Sequence, residues 1–284
     1  MSKNVSLTAL DVTPKLRLTG TRRIRFGLVL AIIIVVTALA FVVMPQLFTS
    51  YSPIDEVGEH MSAPNMQHWL GTDELGRDLY ARIVYGAVHS LTGALAAVLF
   101  GFVVGGLLGL VSGSAGSFID LVIMRFVDVL LAIPSLLLSL SIITLIGFGS
   151  VQVALAVGVT SVAGFARLSR AEVARIKNLE YIEAAYGSGA TFIKVLYRHI
   201  LPNALYTIVG YAALQFGHAL LQIATLGFLG YGVQPPTPEW GLLIAEGRNY
   251  IATGWWLTVM PGLFVIVLVV AFHRISRALI GKNV

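Results

Sequence analysis

The sequence predicts an all-α integral membrane protein that crosses a bilayer six times. Composition is the first observation behind this prediction: 57% of the residues are hydrophobic and 12% are charged, about half the charged fraction of an average soluble protein. The second is that six largely uncharged stretches are each long enough, at roughly 20 residues, to cross a hydrocarbon core about 30 Å thick as a helix. The third is that most charged residues lie between these stretches.

The six predicted spans are separated by charged or glycine-rich segments. The third and fourth come from one uncharged run, 129–166, which is too long for a single crossing and is divided by GFGS at 147–150. The predicted spans are 26–44, 91–111, 129–147, 150–166, 204–229 and 251–272. Residues 1–25 are predicted as a cytoplasmic N-terminal segment, and 26–284 as one six-span domain.

Lysine and arginine residues predict the orientation of the chain. If the N-terminus is cytoplasmic, most of the 19 lie in the cytoplasmic segments 1–25, 167–203 and 273–284, as the positive-inside rule requires. The outer segments contain only Arg77, Arg82 and Arg248. Positive residues spread over three segments do not form a nucleic-acid recognition face. We therefore expect a multi-pass protein with both termini cytoplasmic, surrounded by lipid and binding no nucleic acid.

Several chemistries are excluded or disfavoured by the sequence. There is no cysteine, and the six histidines lack metal-ligand spacing, so no built-in metal site and no catalytic residue are predicted. The P-loop pattern G-x-x-x-x-G-K-[ST] does not occur, so any ATP must be handled by a partner. The charged residues of GTDELGRD, 71–78, have no accompanying nucleophile and are interpreted as helix capping and salt-bridged packing.

The largest cytoplasmic segment, 167–203, has a helix-break-helix pattern. We expect the helix of span four to continue to Lys177, a short helix over 179–186, and a break at the Gly-Ser-Gly of 187–189. Thr191 is predicted to cap the next turn, and Pro202 to mark the entry to span five. The small residues allow another protein to approach the backbone closely. The alternative is an ordinary amphipathic interfacial loop.

Four motifs along the chain carry a family resemblance. The first is EAA, three residues, glycine, and then LP: Glu183, Ala184, Ala185, Gly189, Leu201 and Pro202. The others are HWLGTDELGRDLYARIVYGAVHSL at 68–91, RFVDVLLAIPSLLL at 125–138 and LGFLGYGVQPPTPEWG at 226–241. Together they resemble ABC importer permeases of the peptide and nickel branch, C-type subunit. The resemblance covers most of the chain from His68 to Gly262.

The resemblance implies a type I ABC importer permease fold and a transport subunit rather than an enzyme. It implies that Glu183, Ala184, Ala185 and Gly189 belong to a coupling helix seated in a groove of a cytoplasmic ATPase. Expected partners are a second homologous permease, two ABC ATPases and an extracytoplasmic solute-binding protein. We expect this chain to bind no cofactor, since ATP and Mg are used by the ATPases. We call 167–203 the coupling loop.

The expected location is the bacterial inner membrane, and the expected cargo is a di- or oligopeptide. A nickel ion or another metal chelate is the alternative within the same family. An ion-coupled carrier or channel is a further alternative, but it does not explain the coupling loop.

Four residues are candidates for the gate or the translocation pathway. Arg125 and Asp128 share a helix face, where they can pair or bind neighbours; they either anchor the helix or act in a cytoplasmic gate. Pro134 is expected to kink the third span; the bend either serves as a hinge or has no such role, as in many membrane helices that contain proline. His218 lies well inside an apolar run and either lines the pathway or bonds to a neighbouring helix.

Glycine and tryptophan patterns predict packing and membrane contacts. Gly101, Gly105, Gly109 and Gly113 recur every four residues and lie on nearly one helix face. That face either packs within this chain or contacts a partner permease. Trp240, Trp255 and Trp256 are interpreted as anchors in the outer interfacial belt.

Overall fold

Helices account for the fold, and no β-strand occurs among the described residues. The computed structural model describes residues 21–280, so most of the predicted N-terminal segment 1–25 lies outside the described residues. The α-helices are α1 (Thr21–Val43), α2 (Leu79–Ser114), α3 (Ser117–Ala132), α4 (Ser135–Ile146), α5 (Ser150–Lys177), α6 (Glu180–Gly187), α7 (Phe192–Val195), α8 (Leu201–Phe228), α9 (Trp240–Gly247) and α10 (Trp256–Ile280). Five helical segments within 21–280 are long and apolar enough to cross a membrane, and the bent pair α3 and α4 makes a possible sixth. The six-span, all-α prediction therefore agrees with the structure.

The close packing of α2 against α5 forms the centre of the fold. The glycines that face α5 are Gly101, Gly105, Gly109 and Gly113. A Cβ atom added at Gly109 would meet the Ala166 carbonyl oxygen and lie 2.5 Å from the Cβ of Ser169. Because glycine has no side chain, the two helix backbones approach closely along the whole stripe. In this structure the stripe packs within the chain.

Gly109→Leu is expected to destabilise the protein, because its side chain would have to displace the α5 backbone. Overpacking of this kind costs about 1–3 kcal/mol or more. The matched control is Gly106→Leu on the same helix, where an added Cβ meets only Ser169 Oγ, at 4.0 Å. Thermal unfolding in detergent should show a lower midpoint for Gly109→Leu than for Gly106→Leu, and equal midpoints would contradict this packing.

The third predicted span is two helices rather than one. α3 begins at Ser117, well before the predicted boundary at 129, and its axis meets that of α4 at 95°. Pro134 lies at the break, and Ile133 before it has an extended backbone with φ −92° and ψ 129°. Proline lacks an N–H and disfavours helical geometry in the preceding residue, so the helix stops there. The predicted kink at Pro134 is therefore a sharp corner.

Contacts between helices place the coupling loop and both ends of the described chain on one side of the molecule. Near the start of α1, Gly27 lies against the guanidinium of Arg274, which belongs to the last turns of α10. The Ser276 hydroxyl of α10 donates to the Gly210 carbonyl of α8 at 2.9 Å. We call this side the loop end and the opposite side, which carries α9, the far end.

Two of the three tryptophans predicted as interfacial anchors are packed inside the protein. Trp240 is fully buried, and its indole Nε1 donates to the Ile83 carbonyl at 2.9 Å. Trp256 is buried and its Nε1 donates to the Thr72 carbonyl at 3.3 Å. The predicted role as interfacial anchors is therefore wrong for these two residues, which join α2 and the preceding segment to α9 and α10. Of these three, Trp255 is exposed, at 49%.

Candidate functional site: the coupling loop and a polar groove

The short helix α6 is fixed to the protein by its buried side. Ile182 is completely buried and belongs to the same apolar cluster as Val195 and Ile200, which lead into α8. The helix predicted over 179–186 is thus present as Glu180–Gly187. Its burial on one side means that α6 moves together with the helices beneath it.

Gly189 ends α6 in a Schellman motif. Its φ angle is +81°, the Gly189 amide donates to the Tyr186 carbonyl at 2.9 Å, and the Ala190 amide donates to the Ala185 carbonyl at 3.1 Å. This backbone conformation favours glycine because other side chains are strained there. An added Cβ at Gly189 or at Gly187 meets nothing within 4 Å, so the space beside both residues is open in this chain.

The outer side of the coupling loop is a mixed surface of small and aromatic residues. Glu183 and Ala184 are exposed, and Ala185 is half-buried. Large apolar side chains are exposed around them: Tyr181, Tyr186, Phe192, Ile193 and Tyr197. Exposed apolar groups clustered in one patch are typical of a surface that binds another protein. The small residues of this surface were predicted from the sequence. The aromatic residues were not, because they come together only when α6 and α7 fold.

The motif residues Leu201 and Pro202 open α8, and the polar contacts at this junction come from Asn203. The Asn203 amide Nδ2 donates to the His199 carbonyl at 2.7 Å and to the Tyr181 hydroxyl of α6 at 3.4 Å. A π-turn over Leu196–Ile200 precedes α8, and Pro202 lies in the first turn of that helix. Thr191 occupies the predicted capping position, but its side chain makes no capping hydrogen bond.

Ion pairs at the loop end connect α3 to α5. Asp128 pairs with Arg167 at 2.6 Å rather than with Arg125, which is exposed, so a neighbouring helix supplies its partner. Asp120, which the sequence analysis did not single out, accepts from Arg170 at 2.5 Å and from the Ser112 hydroxyl of α2 at 2.5 Å. Both arginines lie at the start of the coupling loop, so movement of α5 there is passed to α3.

The predicted pathway residue His218 lies in a groove of about 210 Å³ between the α3–α4 corner, α5 and α8. The other polar residues that line the groove are Ser135, Thr160, Ser161, Tyr211, Gln215 and Gln222. The Gln222 amide donates to the Ser135 hydroxyl at 2.8 Å, and the Thr160 hydroxyl donates to the Gln222 amide oxygen at 3.4 Å. No hydrogen bond within residues 21–280 involves the His218 ring. The corner at Pro134 is what brings Ser135 to this groove.

Comparison with known families identifies the chain. Residues 105–282 match the family described as "Binding-protein-dependent transport system inner membrane component", which is more than half of the chain. The chain belongs to this family. It is therefore an ABC importer permease, a multi-pass membrane protein that acts as a transport subunit.

Relatives of this permease fall in the peptide branch of the family. It is 36% identical over 252 residues to the dipeptide transport system permease protein DppC of Alkalihalophilus pseudofirmus, covering 88% of this chain and 83% of that protein. It is 40% identical over 210 residues to the di/tripeptide transport system permease protein DppC of Pseudomonas aeruginosa, covering 74% and 69%. It is 36% identical over 253 residues to the glutathione transport system permease protein GsiD of Pectobacterium atrosepticum, covering 89% and 83%.

Solved structures show the fold of the permease. A crystal structure of an amino acid ABC transporter with histidines matches with a TM-score of 0.58 at 18% identity, covering 72% of this chain and 94% of that one. An inward-facing structure of the MetNI methionine ABC transporter matches with a TM-score of 0.52 at 21% identity, covering 70% and 96%. The permease therefore has the type I ABC importer fold.

Salt bridges hold the far end of the permease together. Asp73, which is 2% exposed, accepts from Arg77 Nε at 2.7 Å and from Arg82 Nη1 at 2.5 Å. Asp78 caps α2 by accepting from the Ala81 amide at 2.7 Å. The interpretation of GTDELGRD as capping and salt-bridged packing is confirmed. These contacts fix the segment that precedes α2 to the start of that helix.

Glu239 is a buried carboxylate at the far end of the permease. It caps α9 by accepting from the amides of Gly241 at 2.9 Å and Leu242 at 3.1 Å, and it accepts from the Ser90 hydroxyl of α2 at 3.2 Å. Burial raises the pKa of Glu239 to about 7 from its ordinary value of 4.5, and the three hydrogen bonds offset only part of this shift. Glu239 lies within the motif at 226–241, but no feature of the sequence marked it as a buried or functional carboxylate.

The raised pKa of Glu239 predicts that the permease is more stable in mild acid. Because the folded state holds this proton more tightly than the unfolded state, the stabilisation is complete below pH 4.5 and is lost as the pH rises through about 7. This pKa shift corresponds to a difference of about 3 kcal/mol in the free energy of unfolding between the two ends of that pH range. In the wild type, the midpoint of thermal unfolding in detergent should be higher at pH 5 than at pH 8. In Glu239→Gln the difference between the two midpoints should be smaller. An unchanged pH dependence in the variant would contradict the assignment.

Proposed function

We propose that this chain forms half of the translocation pathway of an ATP-driven importer for di- and oligopeptides in a bacterial inner membrane. A second, homologous permease forms the other half, two ABC ATPases bind the loop end, and an extracytoplasmic solute-binding protein delivers cargo at the far end. Both termini then lie in the cytoplasm. The concentration of lysine and arginine in the segments at the loop end supports this orientation.

The observation that carries the proposal is the exposed surface of the coupling loop. One side of α6 is packed through Ile182, while Glu183 and Ala184 face outward beside exposed aromatic side chains. In the proposed orientation these apolar groups project into the cytoplasm, where lipid does not cover them. A groove of an ATPase would bury them, and the open space at Gly187 and Gly189 would allow its backbone to come close.

The contacts around α6 support a route from the ATPase to the pathway. Movement of α6 reaches α8 through Ile182 and through the Tyr181–Asn203 hydrogen bond. It reaches α3 through α5, where Arg167 and Arg170 bind Asp128 and Asp120. Closure of two ATPases can therefore rock several spans together between inward-open and outward-open states.

Peptides are the cargo that the comparisons support. The relatives compared above are named for dipeptide, di/tripeptide and glutathione transport, and they are 36–40% identical to this chain. None of these three relatives is named for transport of a metal or a metal chelate, so a peptide has more support as the cargo.

The proposal is tested by reconstituting the complete complex in proteoliposomes. We expect uptake of alanyl-alanine only when ATP is present at the ATPase side and the binding protein at the opposite side. Omission of either component should reduce uptake to the level of empty vesicles. Uptake without ATP, driven by an ion gradient alone, would instead favour an ion-coupled carrier.

A further inference from the structure

The polar groove at His218 places hydrogen-bonding side chains at a depth where the protein is otherwise apolar. Gln215 and His218 lie in the middle of α8, within the predicted fifth span 204–229. An amide or imidazole turned toward lipid tails is unfavourable, because its hydrogen bonds with water are not replaced there. The groove therefore opens to water or to a passing polar molecule.

The polar side chains of the groove form two sets, one hydrogen-bonded within the protein and one without hydrogen-bond partners among the described side chains. Ser135, Thr160 and Gln222 hydrogen-bond to one another. Tyr211, Gln215 and His218 project from α8 into the same groove, and their side chains make no hydrogen bond with any residue of 26–280. These three groups are free to bind a ligand.

The spacing of the three free groups suits a short extended chain. They stand at positions i, i+4 and i+7 of α8, which places them along one face over about 10 Å of helix. About three residues of extended peptide have the same length.

The chemistry of the groove selects polar but not charged groups. None of its lining residues is Asp, Glu, Lys or Arg. A phenol, an amide and an imidazole together donate and accept hydrogen bonds, which is what peptide N–H and C=O groups require. Without a fixed charge, the groove neither selects a particular peptide side chain nor holds a peptide terminus too tightly for release.

We propose that Tyr211, Gln215 and His218 form a binding strip that hydrogen-bonds the main chain of a di- or tripeptide as it passes through the permease. This inference rests on the proposed function, because the cargo must be a peptide. Recognition of the main chain makes the strip tolerant of peptide sequence. A single histidine supplies a hydrogen bond in the strip and not a metal site.

The test compares Gln215→Leu/His218→Leu with the wild type in the complete, reconstituted complex. At saturating trialanine we expect the double variant to take up at least about 10-fold less peptide per ATP hydrolysed, since two hydrogen bonds to cargo are lost. The reduction should be equal for a tripeptide with charged side chains. The control is Thr225→Val on the same helix, whose hydroxyl donates to the Leu221 carbonyl of α8 at 2.8 Å; it should behave as the wild type.

A second measurement asks whether the strip faces water. The sequence has no cysteine, so Gln215→Cys provides a unique thiol, and a charged, water-soluble thiol reagent should modify it. Failure of this labelling in both the nucleotide-free and ATP-bound complexes would overturn the inference.

The outcomes separate the strip from the proposed function. If the wild type takes up trialanine and the double variant equals it, the binding strip is wrong and the function stands. If the wild-type complex takes up no peptide, the proposed function itself fails, and the strip fails with it.

Discussion

Glu183→Lys is expected to reduce ATP-driven peptide uptake by at least about 10-fold, because a reversed charge buried at a protein interface costs about 2–5 kcal/mol or more. Glu183 is exposed and forms no ion pair with a side chain of residues 26–280, so the substitution disturbs little within that part of the chain. The effect should therefore arise at the ATPase. Uptake and ATP hydrolysis are measured together in proteoliposomes, and we expect hydrolysis to continue without transport.

The control for this variant is Glu180→Lys. Both glutamates lie in the first turn of α6, where a negative side chain interacts favourably with the helix dipole, so both variants lose that contribution. Only Glu183 belongs to the EAA motif. We expect Glu180→Lys to retain more uptake than Glu183→Lys. Normal uptake by Glu183→Lys would remove this residue from the coupling surface.

Asp73→Ala is expected to destabilise the permease by about 3–5 kcal/mol, because it removes the carboxylate that two buried guanidinium groups share. Arg77 then keeps only Glu74, at 3.4 Å, and Arg82 only Glu246, at 3.1 Å. Asp73 binds both Arg77 and Arg82, and each of the three side chains is less than 5% exposed. Its carboxylate also accepts from the backbone amides of Leu75 at 2.9 Å and Arg77 at 3.0 Å. The segment before α2 should therefore lose its attachment to that helix.

Thermal unfolding in detergent measures the effect, with Asp55→Ala as the matched control. Asp55 lies in the same segment, is exposed and forms no ion pair with a described residue, so its removal should change stability by less than about 0.5 kcal/mol. If Asp73→Ala unfolds at the same temperature as Asp55→Ala, the buried network does not hold the far end together.

Hydropathy and local signals predicted the features that depend on sequence alone. The apolar runs located the spanning helices, since hydrocarbon requires that backbone groups be satisfied within each segment. The Gly-Ser-Gly break located the end of α6, because Gly189 takes a left-handed conformation there. The four-residue glycine repeat predicted a close helix contact, which the structure places between α2 and α5.

Features that depend on which helices meet were not predictable in this way. Proline at 134 signals a bend but not its size, which is 95° between the axes of α3 and α4. The partner of Asp128 is Arg167, which lies on another helix. Trp240 has the residue type and sequence position of an interfacial anchor, but it is buried against α2.

The polar groove was missed for the same reason. Glutamine, serine and threonine residues occur in many membrane helices and carry no charge that marks a site. Gln222 and Ser135 are far apart in the sequence, and they meet only because the corner at Pro134 turns α4 toward α8. The sequence analysis therefore selected His218 alone.

Cross-linking from Ala184→Cys tests the central claim most directly, since Ala184 is exposed on α6 and the chain has no other thiol. The account predicts that a thiol-to-amine reagent joins Ala184→Cys to the ATPase in the assembled complex, and that Asp55→Cys at the far end gives no such product. A complex in which Ala184→Cys is modified from outside the cell, or is never joined to the ATPase, would contradict the account.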